Sequence, residues 1–329
     1  MKWCKEKRKG KEPDFMNKPL VTVVVPVFNM ESRITECVEK ICDSDYPNLE
    51  ILIVDDGSTD KTGEICDSLE RNNARLRVYH AEHAGVSNAR NIGIEESKGE
   101  FVTFCDGDDY PQKDAYSKMV DAFSPGVEMV CGAIRRKTGR KNKEVNQQAG
   151  SYELGHEAYK ALLERKMPGG VWGYMFPREQ LIDSDRRHKR SFSTKCVVWE
   201  DSLFLCEYIY GTKGRAVNIG STVYNYITTS NSLKRINITD KFVDSTQAYD
   251  QILKLCSSEM EVYVKAVEKY GYILSKLVFV GIINRAPREY LSRLEKSFNS
   301  IKETYYREAA TKKKIAFSKA VFGLFSILR

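Results

Sequence analysis

Three carboxylates, Asp106, Asp108 and Asp109, stand within four positions directly after the apolar run Phe101-Val-Thr-Phe-Cys105. Such a run is a buried strand bounded by a turn, and a strand end fixes where the next side chains lie. Acidic groups crowded at one point repel unless a cation holds them. Hard divalent ions such as Mg²⁺ take oxygen ligands, often one or two carboxylates completed by substrate phosphate and water. Asp106 and Asp108 are two apart and share one side of an extended chain. The Asp-x-Asp pair is therefore a candidate metal site, although an acidic loop tip in solvent gives the same pattern.

The elements needed to position these carboxylates are readable upstream. Leu20–Val25 is β-branched and ends at Pro26; Leu49–Val54 is a second apolar run, closed by Asp55-Asp56-Gly57-Ser58; Leu76–Tyr79 is a third. Between them lie helical patterns. One has Asn29 as its cap, Glu31 in its first turn, and Ile34, Val38 and Ile41 on one face. A second is capped by Asp60, and a third spans Gly85–Glu96. Strands alternating with helices predict a doubly wound α/β sheet. In such sheets ligands bind at the carboxyl ends of the strands, near the switch in strand order. Pro26–Glu31, Asp55–Ser58 and Asp106–Asp109 all fall at those ends. For Asp55 and Asp56 the competing role is a capped turn, with Gly57 supplying positive φ.

Several chemistries are excluded by what is missing. Pro26-Val-Phe-Asn-Met-Glu31 stands where a dinucleotide-binding sheet needs Gly-x-Gly-x-x-Gly, and there is no Gly-x-x-x-x-Gly-Lys phosphate loop. The four histidines form no His-Glu-x-x-His helix, and no Gly-x-Ser-x-Gly elbow occurs. The nine cysteines are scattered without a Cys-x-x-Cys pair, which predicts reduced thiols in a cytoplasmic protein. No apolar h-region follows the basic start, and no apolar stretch reaches the length of about 20 residues that spans a bilayer.

The net charge of +7 is clustered, with Arg135, Arg136, Lys137, Arg140, Lys141 and Lys143 forming one group. Others lie in residues 2–11, 186–190 and 312–314. Any one cluster reads as solvated surface. Together they favour a polyanionic neighbour: a nucleotide, an anionic membrane face or a phosphate-bearing acceptor. No nucleic-acid module is present, so a nucleic-acid partner is not expected.

Four blocks carry a resemblance: Val23-Val-Val-Pro-Val-Phe-Asn29, Glu50-Ile-Leu-Ile-Val-Asp-Asp-Gly-Ser-Thr-Asp60, Gly85-Val-Ser-Asn-Ala-Arg-Asn-Ile-Gly93 and Gly99-Glu-Phe-Val-Thr-Phe-Cys-Asp-Gly-Asp-Asp109. In order and spacing they resemble the nucleotide-binding half of family 2 glycosyltransferases, which have the type-A glycosyltransferase (GT-A) fold. The resemblance implies a doubly wound mixed sheet over residues 19–235, divided into a nucleotide-binding half (19–110) and an acceptor half (111–235). A basic disordered lead (1–18) would precede it and a helical C-terminal region (236–329) would follow.

It also implies roles. Pro26, Phe28 and Glu31 would line a uridine pocket, with Asp56 accepting from the uracil imide and Asp55 beside it. Arg90 would sit near the phosphates or close the pocket; ion pairing with Asp55 or Asp106 is its structural alternative. Asp106 would hold the ribose or a metal-bound water, and Asp108 would ligate Mn²⁺ or Mg²⁺. Glu200-Asp201 resembles the family's Glu-Asp pair, with Asp201 as base and Glu200 in support; ordinary acids at a helix N-terminus are the alternative. Trp172, Gly173 and Trp199 would face the acceptor. Tyr224-Asn-Tyr-Ile227 with Asn231-Ser232 resembles a Tyr-rich strand and its phosphate-covering loop, with Lys234 or Arg235 as substitute cations.

The expected activity is a metal-dependent, inverting, non-processive transfer from a UDP-sugar to a glycan or lipid-linked hydroxyl in cell-surface polysaccharide synthesis. A non-catalytic sugar-nucleotide scaffold and a nucleotidyltransferase are the rival functions. The stretch Lys312–Arg329 is basic and then apolar, which suits a peripheral contact at the inner face of the membrane, a neighbouring helix or a second subunit of a homodimer.

Overall fold

A computed structural model describes residues 18–139, 141–196, 198–228, 243–309 and 311–328. The nucleotide-side elements are β1 (Val21–Val27), α1 (Ile34–Cys42), β2 (Leu49–Asp55), α2 (Thr62–Arg71), β3 (Leu76–His80), α3 (Val86–Glu96) and β4 (Phe101–Phe104). Every residue of β1, β2 and β4 is buried, as strands covered on both faces require. Within that apolar wall Glu50 is accommodated by Arg77 (2.8 Å) and the Thr22 hydroxyl (2.6 Å). The order β3-β2-β1-β4 is parallel throughout, so the switch in direction of winding falls between β1 and β4.

Next come β5 (Tyr110–Pro111), α4 (Ala115–Asp121), β6 (Val127–Thr138), β7 (Lys141–Val145), β8 (Gly150–Glu153) and α5 (His156–Leu163), then β9 (Tyr174–Pro177), α6 (Glu200–Gly211) and β10 (Arg215–Ile227). β9 enters antiparallel between β4 and β6, and β10 runs parallel to β6, giving the mixed sheet that was expected. The polar region Lys137–Gly150 reads as a loop, but its first part is strand. β6 continues to Thr138 and turns back as β7, pairing Ile134 with Val145 and Arg136 with Lys143. Pairing along the backbone has overridden a composition with little to bury.

Helices α7 (Gln247–Leu255), α8 (Met260–Ile283), α9 (Arg288–Thr304) and α10 (Lys312–Leu328) make up the helical C-terminal region. Tyr249, Tyr270, Leu274, Phe298, Val321 and Phe325 join one continuous core with Phe104, Phe176 and Phe204 of the sheet side. Residues 1–17 of the expected lead, and the expected boundary near 235 with Asn231, Ser232, Lys234 and Arg235, lie outside the described residues.

Two local features place the site. Gly93 lies so close to β1 that an added Cβ would meet Val24 Cγ1 at 2.2 Å. This contact seats α3 on the sheet and sends Arg90, three residues earlier on the same helix side, toward the strand ends. Gly107 makes a similar approach: its Cβ would lie 2.8 Å from Val27 Cγ1, so the loop between Asp106 and Asp108 folds flat onto β1. The expected cap at Asn29 is a correction. α1 begins at Ile34, and Asn29 takes a left-handed conformation (φ 53°) with its side-chain oxygen accepting from the Thr59 amide. It pins one strand-end loop to another.

Candidate functional site

A cleft of about 310 Å³ opens at the carboxyl ends of β1, β2 and β4. Pro26, Phe28 and Met30 form one wall, Val86, Ala89 and Arg90 of α3 another, and Asp56, Asp106, Asp108 and Glu200 contribute acids. A larger hollow of about 810 Å³ lies at the other end of the sheet, by Phe101, Phe123 and Arg178. Its cations are engaged by backbone carbonyls, Arg178 with Ser97 and Lys189 with Glu179. Chemistry concentrates in the smaller cleft.

Arg90 is its organising residue. The guanidinium is 3% exposed and reaches Asp106 at 3.0 Å, Glu200 at 3.1 Å and Asp201 at 2.8 Å, with the ring of Phe192 beneath it at 5.2 Å. One cation cannot satisfy three carboxylates. Burial raises the Asp201 carboxyl, and although Arg90 opposes this, Glu200 and Asp106 add to it, leaving Asp201 at about 7. Proton affinity near neutrality is what a general base needs. The backbone amide of Val171 also donates to Asp201, at 3.4 Å.

The acidic loop is tethered from behind. The Asp106 amide donates to the Tyr224 hydroxyl (3.0 Å), which donates to Asp109 (3.0 Å); Asp109 also accepts from the Ile227 amide at 2.6 Å. Burial pushes Asp109 up to about 8 despite these bonds. Asp109 and Tyr224 thus hold the loop, while Asp108 faces the cleft. Burial, and then the charge of Asp106, raise Asp108 above the ordinary carboxylate range, the condition that a bound cation relieves. Among the described residues no three His, Cys, Asp or Glu side chains converge as a complete cage. Two carboxylates beside an open cleft suit an ion that shares its shell with diphosphate and water.

Other expected site residues separate. Asp56 lies in the cleft, but its oxygens accept from the amides of Ala84 and Gly85 (both 2.9 Å), and His83 is 2.8 Å away. It anchors the loop before α3 and lines the cleft. Phe28 stacks on His83 at 4.2 Å, an aromatic platform at the mouth that sequence reasoning only half found. Asp55 points to the opposite face, paired with His80 (3.0 Å) and the Ser58 amide, so the expectation that it stands beside the nucleotide is corrected. Glu31 is exposed and accepts from the Lys61 amide, away from the cleft wall. Trp172 stacks on Tyr224 (5.5 Å) and lies tilted against Tyr226 (5.1 Å), one residue beyond the Val171–Asp201 contact. Gly173 takes φ 121°, and Trp199 caps α6 with φ 63°, its ring edge-on to Tyr249. Neither touches the cleft wall.

Comparison with known proteins decides the family. Glycosyl transferase family 2 matches residues 22–185, from β1 to the loop after β9. Residues 22–185 belong to glycosyltransferase family 2. The family match contains Arg90, Asp106 and Asp108, whereas Glu200 and Asp201 lie beyond it; folding alone brings Glu200 to the cleft wall and Asp201 to Arg90. "Uncharacterized glycosyltransferase EpsJ" of Bacillus subtilis (strain 168) is 32% identical over 168 residues, covering 49% of this chain and 48% of that one. The chain spans about half, or less, of the length of the curated glycosyltransferases it matches first. Among solved structures, S. aureus TarS 1-349 in complex with UDP-GlcNAc matches with TM-score 0.60 at 17% identity, covering 88% of this chain and 92% of that one. GalNAc-T7 with UDP, GalNAc and Mn²⁺ matches with TM-score 0.52 at 15% identity, covering 71% and 48%. These likenesses give the fold, the GT-A glycosyltransferase architecture; the two neighbours hold, respectively, a UDP-sugar and UDP with Mn²⁺.

Proposed function

We propose that this protein is an inverting, metal-dependent transferase that moves a sugar from a UDP-sugar to an acceptor hydroxyl in cell-surface polysaccharide synthesis. The carrying observation is the Arg90 bridge, which joins the acidic loop at Asp106 to Asp201 across one cleft. Uridine would lie against Phe28 and Pro26 with Asp56 at its edge, placing the diphosphate by Asp106 and Asp108. Mn²⁺ or Mg²⁺ held by Asp108 and Asp106 would neutralise charge on the departing diphosphate. Asp201 would take the proton from the acceptor hydroxyl, whose oxygen attacks the anomeric carbon as UDP leaves from the opposite side. A single positioned base suffices for such an in-line displacement, which inverts the anomeric centre. Glu200 shares the Arg90 charge and keeps Asp201 oriented.

The direct test is UDP release from a panel of UDP-sugars, UDP-GlcNAc first, with Mn²⁺, with Mg²⁺ and with EDTA. Release should need the metal, and Asp108→Asn should lower it by about 100-fold or more, the scale of losing one electrostatic stabiliser. Undiminished release by Asp108→Asn in EDTA would remove the metal from the reading.

The acceptor, glycan or lipid-linked, would be met at a membrane surface. α8 and α10 run side by side in the same direction, since Glu268 meets Lys314 and Ser275 meets Ser318. Their far ends carry the exposed apolar side chains Phe279, Ile283, Leu324 and Ile327. Lys276, Lys312, Lys313 and Lys319 lie on the same two helices, the pattern of an interfacial contact with anionic lipid. Among the described residues no helix is long and apolar enough to cross a membrane, so the contact would be peripheral, at the inner face. In flotation with phosphatidylglycerol vesicles, Ile283→Asp with Ile327→Asp should cut binding about tenfold or more. Unchanged flotation would refute the contact; a dimer-to-monomer shift in the same variant would assign the face to a second subunit.

A further inference from the structure

An aromatic and cationic strip leads away from Asp201, and its charges have no role in the reading above. Val171 donates to Asp201, the next residue Trp172 lies tilted against Tyr226, and the Arg136 guanidinium carbon lies over the Tyr226 ring, 5.8 Å from its centre. Arg136 pairs across the β6–β7 hairpin with Lys143, and Thr138 with Lys141. Residues directly opposite on antiparallel strands share a face. Arg136, Lys141 and Lys143 therefore gather on the side that carries Tyr226, and all three are exposed.

Like charges directly opposite one another destabilise a hairpin. The neighbouring cations are engaged locally: Arg135 pairs with Glu144 at 2.7 Å, and Lys137 donates to the Tyr110 hydroxyl at 2.7 Å. Among the described residues Arg136, Lys141 and Lys143 have no acidic partner within ion-pair distance. The repulsion is left for a ligand to relieve. The hairpin tip also presents no exposed large apolar side chain, so it lacks the anchor that a lipid interface requires.

We infer that the acceptor is a phosphate-bearing glycan whose phosphate is held by Arg136, Lys141 and Lys143, beyond Trp172 and Tyr226 along the strip. This rests on the transferase reading and narrows it to an acceptor class. The cations recognise the phosphate and draw the acceptor in. The acidic cluster around Arg90 would repel a phosphate from the reaction centre itself, which sets the order of the acceptor along the strip.

The test is fluorescence anisotropy of a fluorescein-labelled glycerol-phosphate oligomer against a labelled neutral dextran of similar length, using the full chain. Wild type should bind the phosphate probe at least about tenfold more tightly at low salt, with the preference fading as salt rises. Arg136→Gln with Lys141→Gln and Lys143→Gln should remove that preference, about a tenfold loss for three exposed contacts, without changing acceptor-independent UDP release. Arg135→Gln serves as the control for charge alone and should cost less than about threefold. An unaltered phosphate preference in the triple variant would overturn the inference, as would equal losses from the control. If the triple variant instead loses phosphatidylglycerol-vesicle binding with no change toward the oligomer, the strip is a membrane contact and the inference is wrong. Absence of UDP release from every UDP-sugar would strike the transferase reading, and the anisotropy result would still decide the binding site.

Discussion

Replacing Asp201 by Asn is expected to lower sugar transfer by about 10²- to 10⁴-fold, the range supplied by a positioned base. The pH profile should identify the cause. In the wild type the Asp201 carboxyl, raised by burial to about 7, is protonated below that point and cannot accept a proton. kcat/KM should therefore climb with pH and level off above about 7, and the limb should vanish in the variant. The linkage to stability has a definite sign. An unfolded Asp ionises near 3.9, so between about 4 and 7 the native state binds more protons and stability falls as pH rises. Asp201→Asn escapes that loss and should be at least as stable as wild type at pH 8. A variant that keeps both the rate and the limb would place the base elsewhere.

Arg90→Ala should produce the largest change in stability. It leaves Asp106, Glu200 and Asp201 facing one another with their shared cation gone. Breaking a buried pair costs about 3–5 kcal/mol, mostly because the orphaned charge stays buried. At about 2 °C per kcal/mol for a chain of this size, thermal unfolding should shift down by about 6–10 °C. The deficit should shrink at pH 5, where the abandoned carboxylates take up protons, and widen at pH 8. Transfer should fall as well, since the base loses its orientation. Equal melting of variant and wild type at pH 8 would show that the triad of acids is held by something else.

Asp55 and Asp56 illustrate where linear reading misjudged geometry. Successive residues of a strand point to opposite faces, so only one of two adjacent acids can face a cleft. Asp56 was expected inward and does line the cleft; Asp55, the last residue of β2 and level with Val27, turns to the other face and pairs with His80. The β6–β7 hairpin was hidden for another reason. Its residues are nearly all polar, so no alternating pattern marks a strand, and backbone pairing with a long neighbour made one. Trp199, expected at the acceptor, instead caps α6 and packs on Tyr249 of the C-terminal helices.

The amino-acid order alone determined the βα alternation, the strand ends carrying acids, and the glycines that let α3 and the Asp106–Asp108 loop lie against β1. These follow from short-range rules: β-branched runs bury, and a missing Cβ permits close approach. Tertiary structure alone decided that Arg90 binds Glu200 and Asp201, partners 110 and 111 residues away. A buried guanidinium must find carboxylates wherever packing delivers them, and no local pattern encodes which ones arrive.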